Sequence, residues 1–384
     1  MNFNLSTATR LGLNILVMLG GIVALRLGEG IFIPLTIALL FATILWSSAN
    51  RLHTFYRFPW AVACIVSVLV LVLVNLVVTF GFVLAVPRLV QDMTPIDPAR
   101  QQEIYNSLRL RAASVVPLDD RYFPKEAKDS EFFKVVQRVL DGSYIGETVL
   151  KLGGYVLNWL WQFILILFIL LFLLLEGRML TRRVTEIFGP SKEVQSKVGE
   201  ALTEMTHAVR AYLVSRTLVN IGLGIVIGVC YQMMGLRQAW TWALLTGVLC
   251  YIPYIGPIIA GIPPLLDAFV HGSPLLALGV LTFYVSVVTL EGYVIVPVIM
   301  GRHMDLNATT VMLACLFWEL VWGVPGLFLA MPLMAAVKSI CDHVPGWKPW
   351  ANLMSARDEM DRPIRSESDK SVAVRANGAA SYKG

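Results

Sequence analysis

Several stretches of this chain run for at least 20 residues without a charged side chain, among them Gly30–Asn50, Trp60–Val86, Leu152–Leu175 and Thr217–Leu236. A helix that crosses the ~30 Å hydrocarbon core of a bilayer needs about 20 predominantly apolar residues, because only a helix or a closed barrel satisfies its own backbone there. The chain is therefore restricted to a polytopic, all-α membrane protein. Leu11–Leu25 is shorter but ends on Arg26, which extends its reach by snorkelling, and it counts as a further span. Composition agrees: 57% of the 384 residues are hydrophobic and 15% charged, against about 25% charged in soluble domains.

The charges divide the chain. Of the 57 (31 basic, 26 acidic), 20 lie in 88–151, 12 in 176–216 and 14 in 338–384, leaving 11 for the rest. The expected organisation is three N-terminal spans in 1–86, an extracytoplasmic helical insert in 87–151 and a fourth span in 152–175. A cytoplasmic amphipathic segment in 176–216 follows, then a transport core in 217–343 and a disordered tail in 344–384. Val198, Leu202, Met205, Val209 and Tyr212 recur at the spacing of one helical face. Arg10, Arg51, Arg57, Arg178, Arg182 and Arg183 place both termini in the cytoplasm by the positive-inside rule.

Two apolar segments cannot be continuous helices. Residues 238–270 carry Pro253, Gly256, Pro257, Gly261, Pro263 and Pro264, and residues 306–341 carry Gly323, Pro325, Gly326 and Pro332. Both read as helical hairpins of the re-entrant type, giving about 6–8 membrane segments in all. Pro257 and Pro263 stand six apart, as do Gly326 and Pro332, and paired broken segments point to a site between two repeats of a secondary transporter. The candidate solute pathway is accordingly Pro253, Tyr254, Gly256, Pro257, Gly261, Pro263, Gly323, Pro325, Gly326 and Pro332.

Among the 11 remaining charges are five acids, of which Glu291, Glu319 and Asp267 lie deepest in apolar sequence. Carboxylates at such depth cost at least ~2.5–3.5 kcal/mol, so each is either a proton- or ion-coupling group or an acid neutralised by an Arg or a structural hydrogen bond. Tyr251, Tyr254, Tyr284, Ser286, Thr289 and Tyr293 gather near them and supply groups for a small polar solute. Phosphate-binding loops, nucleophile elbows and His/Cys metal spacings are missing from the sequence, so no cofactor, metal, catalytic residue or nucleic-acid partner is expected, and the five cysteines read as buried thiols.

The stretches PYIGPIIAGIPPLL (Pro253–Leu266), LEGYVIVPVIMGRHMDL (Leu290–Leu306) and FWELVWGVPGLFLAMPLMAAVK (Phe317–Lys338) resemble the autoinducer-2 exporter family, the PerM-like permeases. The resemblance covers roughly residues 10–345. It implies a multi-pass bacterial inner-membrane transporter, a homo-oligomer in the lipid bilayer, that exports autoinducer-2 or a similar small polar metabolite, with coupling to protons. The alternatives are a sodium(lithium)/proton antiporter and a structural or scaffolding membrane protein. Asn307–Ala308 replaces a Ser–Pro-like helix start, and Glu319 stands where a small residue is common.

Overall fold

In the computed structural model the described residues are 7–92, 105–106, 109–110, 124, 142–188, 191–300, 306–344 and 346–356. Most of the expected extracytoplasmic insert and tail, with Arg302 and Asp305, lies outside them. The helices are α1 (Thr7–Leu27), α2 (Glu29–Phe55), α3 (Trp60–Asp92), α4 (Gly142–Ile187), α5 (Lys192–Met233), α6 (Ala239–Leu249), α7 (Ile255–His271) and α8 (Pro274–Leu290). A π-helical turn (Glu291–Ile295) leads to α9 (Val296–Met300), followed by α10 (Ala308–Trp322), α11 (Val324–His343) and α12 (Lys348–Met354). Six of these helices are long and apolar enough to cross a membrane. The chain is a polytopic helical membrane protein.

Helices α2, α3 and α4 form one packed unit around Ala38, Leu45, Ala49, Cys64, Val68, Ile166, Leu170 and Leu174. Gly177 leaves room for the Trp46 ring, whose nearest atom would sit 2.6 Å from a Cβ at that position. A second unit gathers Leu223, Ile227 and Tyr231 of α5 with Trp242, Ala243, Ala268, Val280 and Tyr284 of α6, α7 and α8. Without a hydrophobic drive between helices in lipid, such packing depends on small residues that let backbones approach.

Local signals explain the breaks. Ser273 caps α8 by accepting from the Leu276 N–H at 3.1 Å, with Pro274 at its start. Asn307 caps α10 by accepting from the Thr310 N–H at 2.8 Å, so the departure from a Ser–Pro start is accommodated as the capping chemistry of Asn requires. At the π-turn the Val296 N–H donates to the Glu291 carbonyl, one residue further back than in an α-helix.

Candidate functional site

The long helix α5 is the ruler against which both hairpins are measured. Along α6 the contacts run antiparallel to it: Trp240 lies against Gly228, the Ala243 carbonyl faces Gly224, and Gly247 faces the Asn220 carbonyl. The series ends where Arg216 donates through Nε (3.1 Å) and Nη2 to the Cys250 carbonyl, at the C-terminus of α6. The chain turns there, and α7 runs back beside α6, where Trp242 Nε1 donates to Asp267 Oδ2 at 2.8 Å. The first hairpin thus returns to the end from which it started, its corner at the level of Arg216.

The second hairpin is inserted the other way. Its open end is tied by Asn307, whose N–H donates to the Met354 carbonyl (2.8 Å) and whose side-chain amide donates to the Leu353 carbonyl (2.7 Å). At that same end His343 Nε2 lies 3.1 Å from Glu204 of α5. Further in, Met331 and Val311 pack on Tyr212. Gly323 is eight residues from Met331 towards the corner, and Asn220 is eight residues from Tyr212 in the same direction. The second corner therefore lies beyond Tyr212 along α5, on the side towards the first corner. Arg216 lies twelve residues from Glu204 and twelve from Gly228, about 18 Å each way at 1.5 Å per residue. Two oppositely inserted hairpins point their corners towards the middle of this stretch.

Both corners are built on the same contact. A Cβ at Gly256 would stand 1.9 Å from the Leu249 carbonyl oxygen, and one at Gly326 would stand 1.9 Å from that of Trp318. Only glycine lets the returning helix cross so close to the C-terminal carbonyls of the first. On this alignment the following prolines are seven and six residues on, at Pro263 and Pro332, so the sequence echo through Pro257 is displaced by one. Pro263, Pro264 and Pro332 have no N–H for the carbonyls of Ile259, Ala260 and Phe328. Pro325 sits in the first turn of α11, where its missing donor is harmless.

The two turns differ in strain. Gly323 adopts φ +62°, which glycine tolerates, but in the first hairpin the residue with φ +60° is Tyr254. The Ile255 N–H donates to the Pro253 carbonyl at 2.6 Å around it, a γ-turn of the rare positive-φ kind. Conformations of this sort cost about 1–3 kcal/mol and persist where the surroundings hold them.

At the first corner Arg216 Nη1 lies 2.5 Å from Glu291 Oε1, with only 11% and 5% of the two side chains exposed. Arg216 thereby joins the π-turn to the corner of the first hairpin. Thr217 and Tyr251 add a hydroxyl–hydroxyl bond of 2.7 Å beside it. Tyr284 donates to the Pro257 carbonyl at 2.6 Å, and Gly261 makes room for its ring. Asp267 is buried towards the open end of the first hairpin, eleven residues or about 16 Å along α7 from Gly256. Glu319 is exposed on α10, where the neighbouring Leu320 carbonyl accepts from Arg26 at 3.2 Å. Tyr293 is 82% exposed and points away from the pair. The apolar groove along Leu275, Leu278, Gly279, Thr282 and Phe283 lies on the outer side of α8 and holds none of these groups.

Sequence reasoning misses Arg216 and Asn220. Arg216 falls among the charges of 176–216, yet it is the last of them, and the uncharged run beginning at Thr217 is the sign that it lies at a membrane-embedded level.

Two glycine-cornered hairpins inserted from opposite ends, the first closing on a buried ion pair, define a membrane protein built on broken helices, an architecture found among transporters. Residues 13–346 match the AI-2E family transporter family, and the chain belongs to it. The chain is 27% identical over 350 residues to the AI-2 transport protein TqsA of Escherichia coli (strain K12), covering 90% of this chain and 96% of that one. It is 24% identical over 357 residues to the putative transport protein YhhT of the same organism, covering 89% and 94%. The putative transport protein YrrI of Bacillus subtilis (strain 168) is 30% identical over 142 residues, 37% of this chain and 40% of the relative.

Proposed function

We propose that this protein is a secondary exporter in a bacterial inner membrane, moving a small polar metabolite of the autoinducer-2 kind and coupled to protons. The observation that carries this reading is the pair of glycine-cornered hairpins inserted along α5 from opposite ends, the first with its corner at the buried Arg216–Glu291 pair. A solute held there is reached from one face when the first hairpin moves and from the other when the second does. Backbone groups freed at Pro253–Pro257 and Gly323–Gly326 hold it. The likeness to the AI-2 transport protein TqsA over 90% of this chain supports the substrate class.

Arg216 is the latch in this scheme. While Glu291 is ionised, Arg216 is fixed between it and the Cys250 carbonyl. A proton on Glu291 removes its charge, frees the guanidinium and releases the corner of the first hairpin, which is how proton movement and solute access become linked. Asp267, bound by Trp242, serves as a staple between α6 and α7 rather than as an ion site.

Transport of autoinducer-2 into everted vesicles, with and without a proton gradient, tests the reading. Gradient-dependent accumulation that is lost in Glu291→Gln, with the variant still inserted in the membrane, is expected. Sodium-dependent dissipation of the gradient without solute accumulation would replace it with a cation/proton antiporter.

A further inference from the structure

We propose that Asn220 is a binding residue for the transported solute, and that the solute it selects is uncharged and bears hydroxyl or carbonyl groups. The inference rests on the transporter reading above and adds to it the residue and the chemical class. Asn220 is 3% exposed. Neither its side-chain oxygen nor its side-chain nitrogen has a hydrogen-bond partner among the described residues. Tyr231 Oη, Trp318 Nε1 and Asn75 Oδ1 are unmatched too, but Asn220 is the one side chain there with two polar atoms both unmatched. Buried polar groups are otherwise satisfied in about nine cases of ten, and an exception calls for a partner such as water or a ligand.

Its position supplies the second argument. Asn220 stands one helical turn beyond Arg216 on α5, so the two share a face. Arg216 and Thr217 are each engaged by the corner of the first hairpin, through Cys250 and Tyr251. Asn220 is the next polar group along that face, and its carbonyl lies beside Gly247 of α6. A primary amide offers two donors and a two-lone-pair acceptor, the complement of a hydroxyl or hydrated carbonyl. The formal charges that the described residues bring to this level, Arg216 and Glu291, already neutralise each other. With Glu291 ionised the site therefore has no excess charge with which to hold an ion, and a neutral polar solute fits it.

Two measurements on the full chain test this. In a background with the five native cysteines replaced by serine, Asn220→Cys is treated in everted vesicles with a small hydrophilic thiosulfonate reagent. Modification is expected, because a solute path must admit water; an unreactive thiol in this variant would overturn the proposal whatever the solute. In parallel, Asn220→Leu is assayed for autoinducer-2 uptake at matched expression and for melting temperature. A loss of about tenfold or more, the worth of one good hydrogen bond, is expected with an unchanged or higher melting temperature. Uptake within about twofold of the parent would overturn the assignment. If the introduced thiol is reactive while the unmodified protein moves no autoinducer-2, the substrate reading falls and the site stands; other neutral hydroxylated solutes then protect that thiol from the reagent.

Discussion

Arg216 on α5 and Glu291 on the π-turn are 75 positions apart and close a buried ion pair, with the guanidinium also holding the last carbonyls of α6 through Cys250. Taking two charges out of water is expensive, and the pair is stable only because each leaves the other few unmet contacts.

Removing the second partner therefore costs less once the first is gone. Arg216→Gln or Glu291→Gln alone is expected to lower stability by about 3–5 kcal/mol, and the double variant by less than the sum of the two. Thermal unfolding of the purified variants measures this. Strict additivity would show that the two side chains do not interact.

The corner glycines make a sharper test of the hairpins. Gly256→Ala and Gly326→Ala push a methyl to 1.9 Å from a backbone carbonyl and should abolish folding or transport. Gly279→Ala on α8 meets nothing within 4 Å and should be neutral or stabilise by about 0.5–1 kcal/mol. Equal behaviour of all three in a stability and uptake assay would remove the close-contact account of the corners.

Much of this architecture is legible in sequence, for reasons that differ by element. Charge-free length marks α2, α3, α4 and the inner half of α5, because lipid imposes a length and forbids charge. Gly and Pro mark the two hairpins, because no other residues permit the approach at Gly256 and Gly326. What the sequence does not reveal is the register between distant helices. Nothing in the residues near Glu291 says that Arg216 is its partner, since that follows from how the π-turn sits against α5. Asp267 is indistinguishable from Glu291 for the same reason, until Trp242 is seen to donate to it.

Asp267→Asn keeps an acceptor for Trp242 Nε1, so it should preserve both stability and uptake. Trp242→Phe leaves the buried carboxylate short of a donor and should cost about 1–3 kcal/mol. Loss of uptake by a stably folded Asp267→Asn would restore this residue as an ion site.

Glu319→Gln is expected to retain at least about half of the parental uptake and to change stability by less than ~0.5 kcal/mol, since its side chain lies on the exposed side of α10. Uptake assays beside Glu291→Gln separate the two acids. An equal loss in both would make Glu319 a partner in coupling.

Tyr254→Gly removes the side chain that disfavours φ +60°. The melting temperature should stay level or rise, the relief of about 1–3 kcal/mol being partly offset by the greater freedom of glycine in the unfolded chain. A marked fall would mean that the ring, not the turn, stabilises the corner.

The unbroken 42 residues of α5 make a rod about 63 Å long, twice the ~30 Å hydrocarbon thickness. Arg216 is 24 residues from its start, so a tilt of about 10° about that point sweeps the polar end near Lys192 through roughly 6 Å. The helix is in effect a lever whose fulcrum is the ion pair, so that a small tilt at that point is magnified into a large displacement of its polar end.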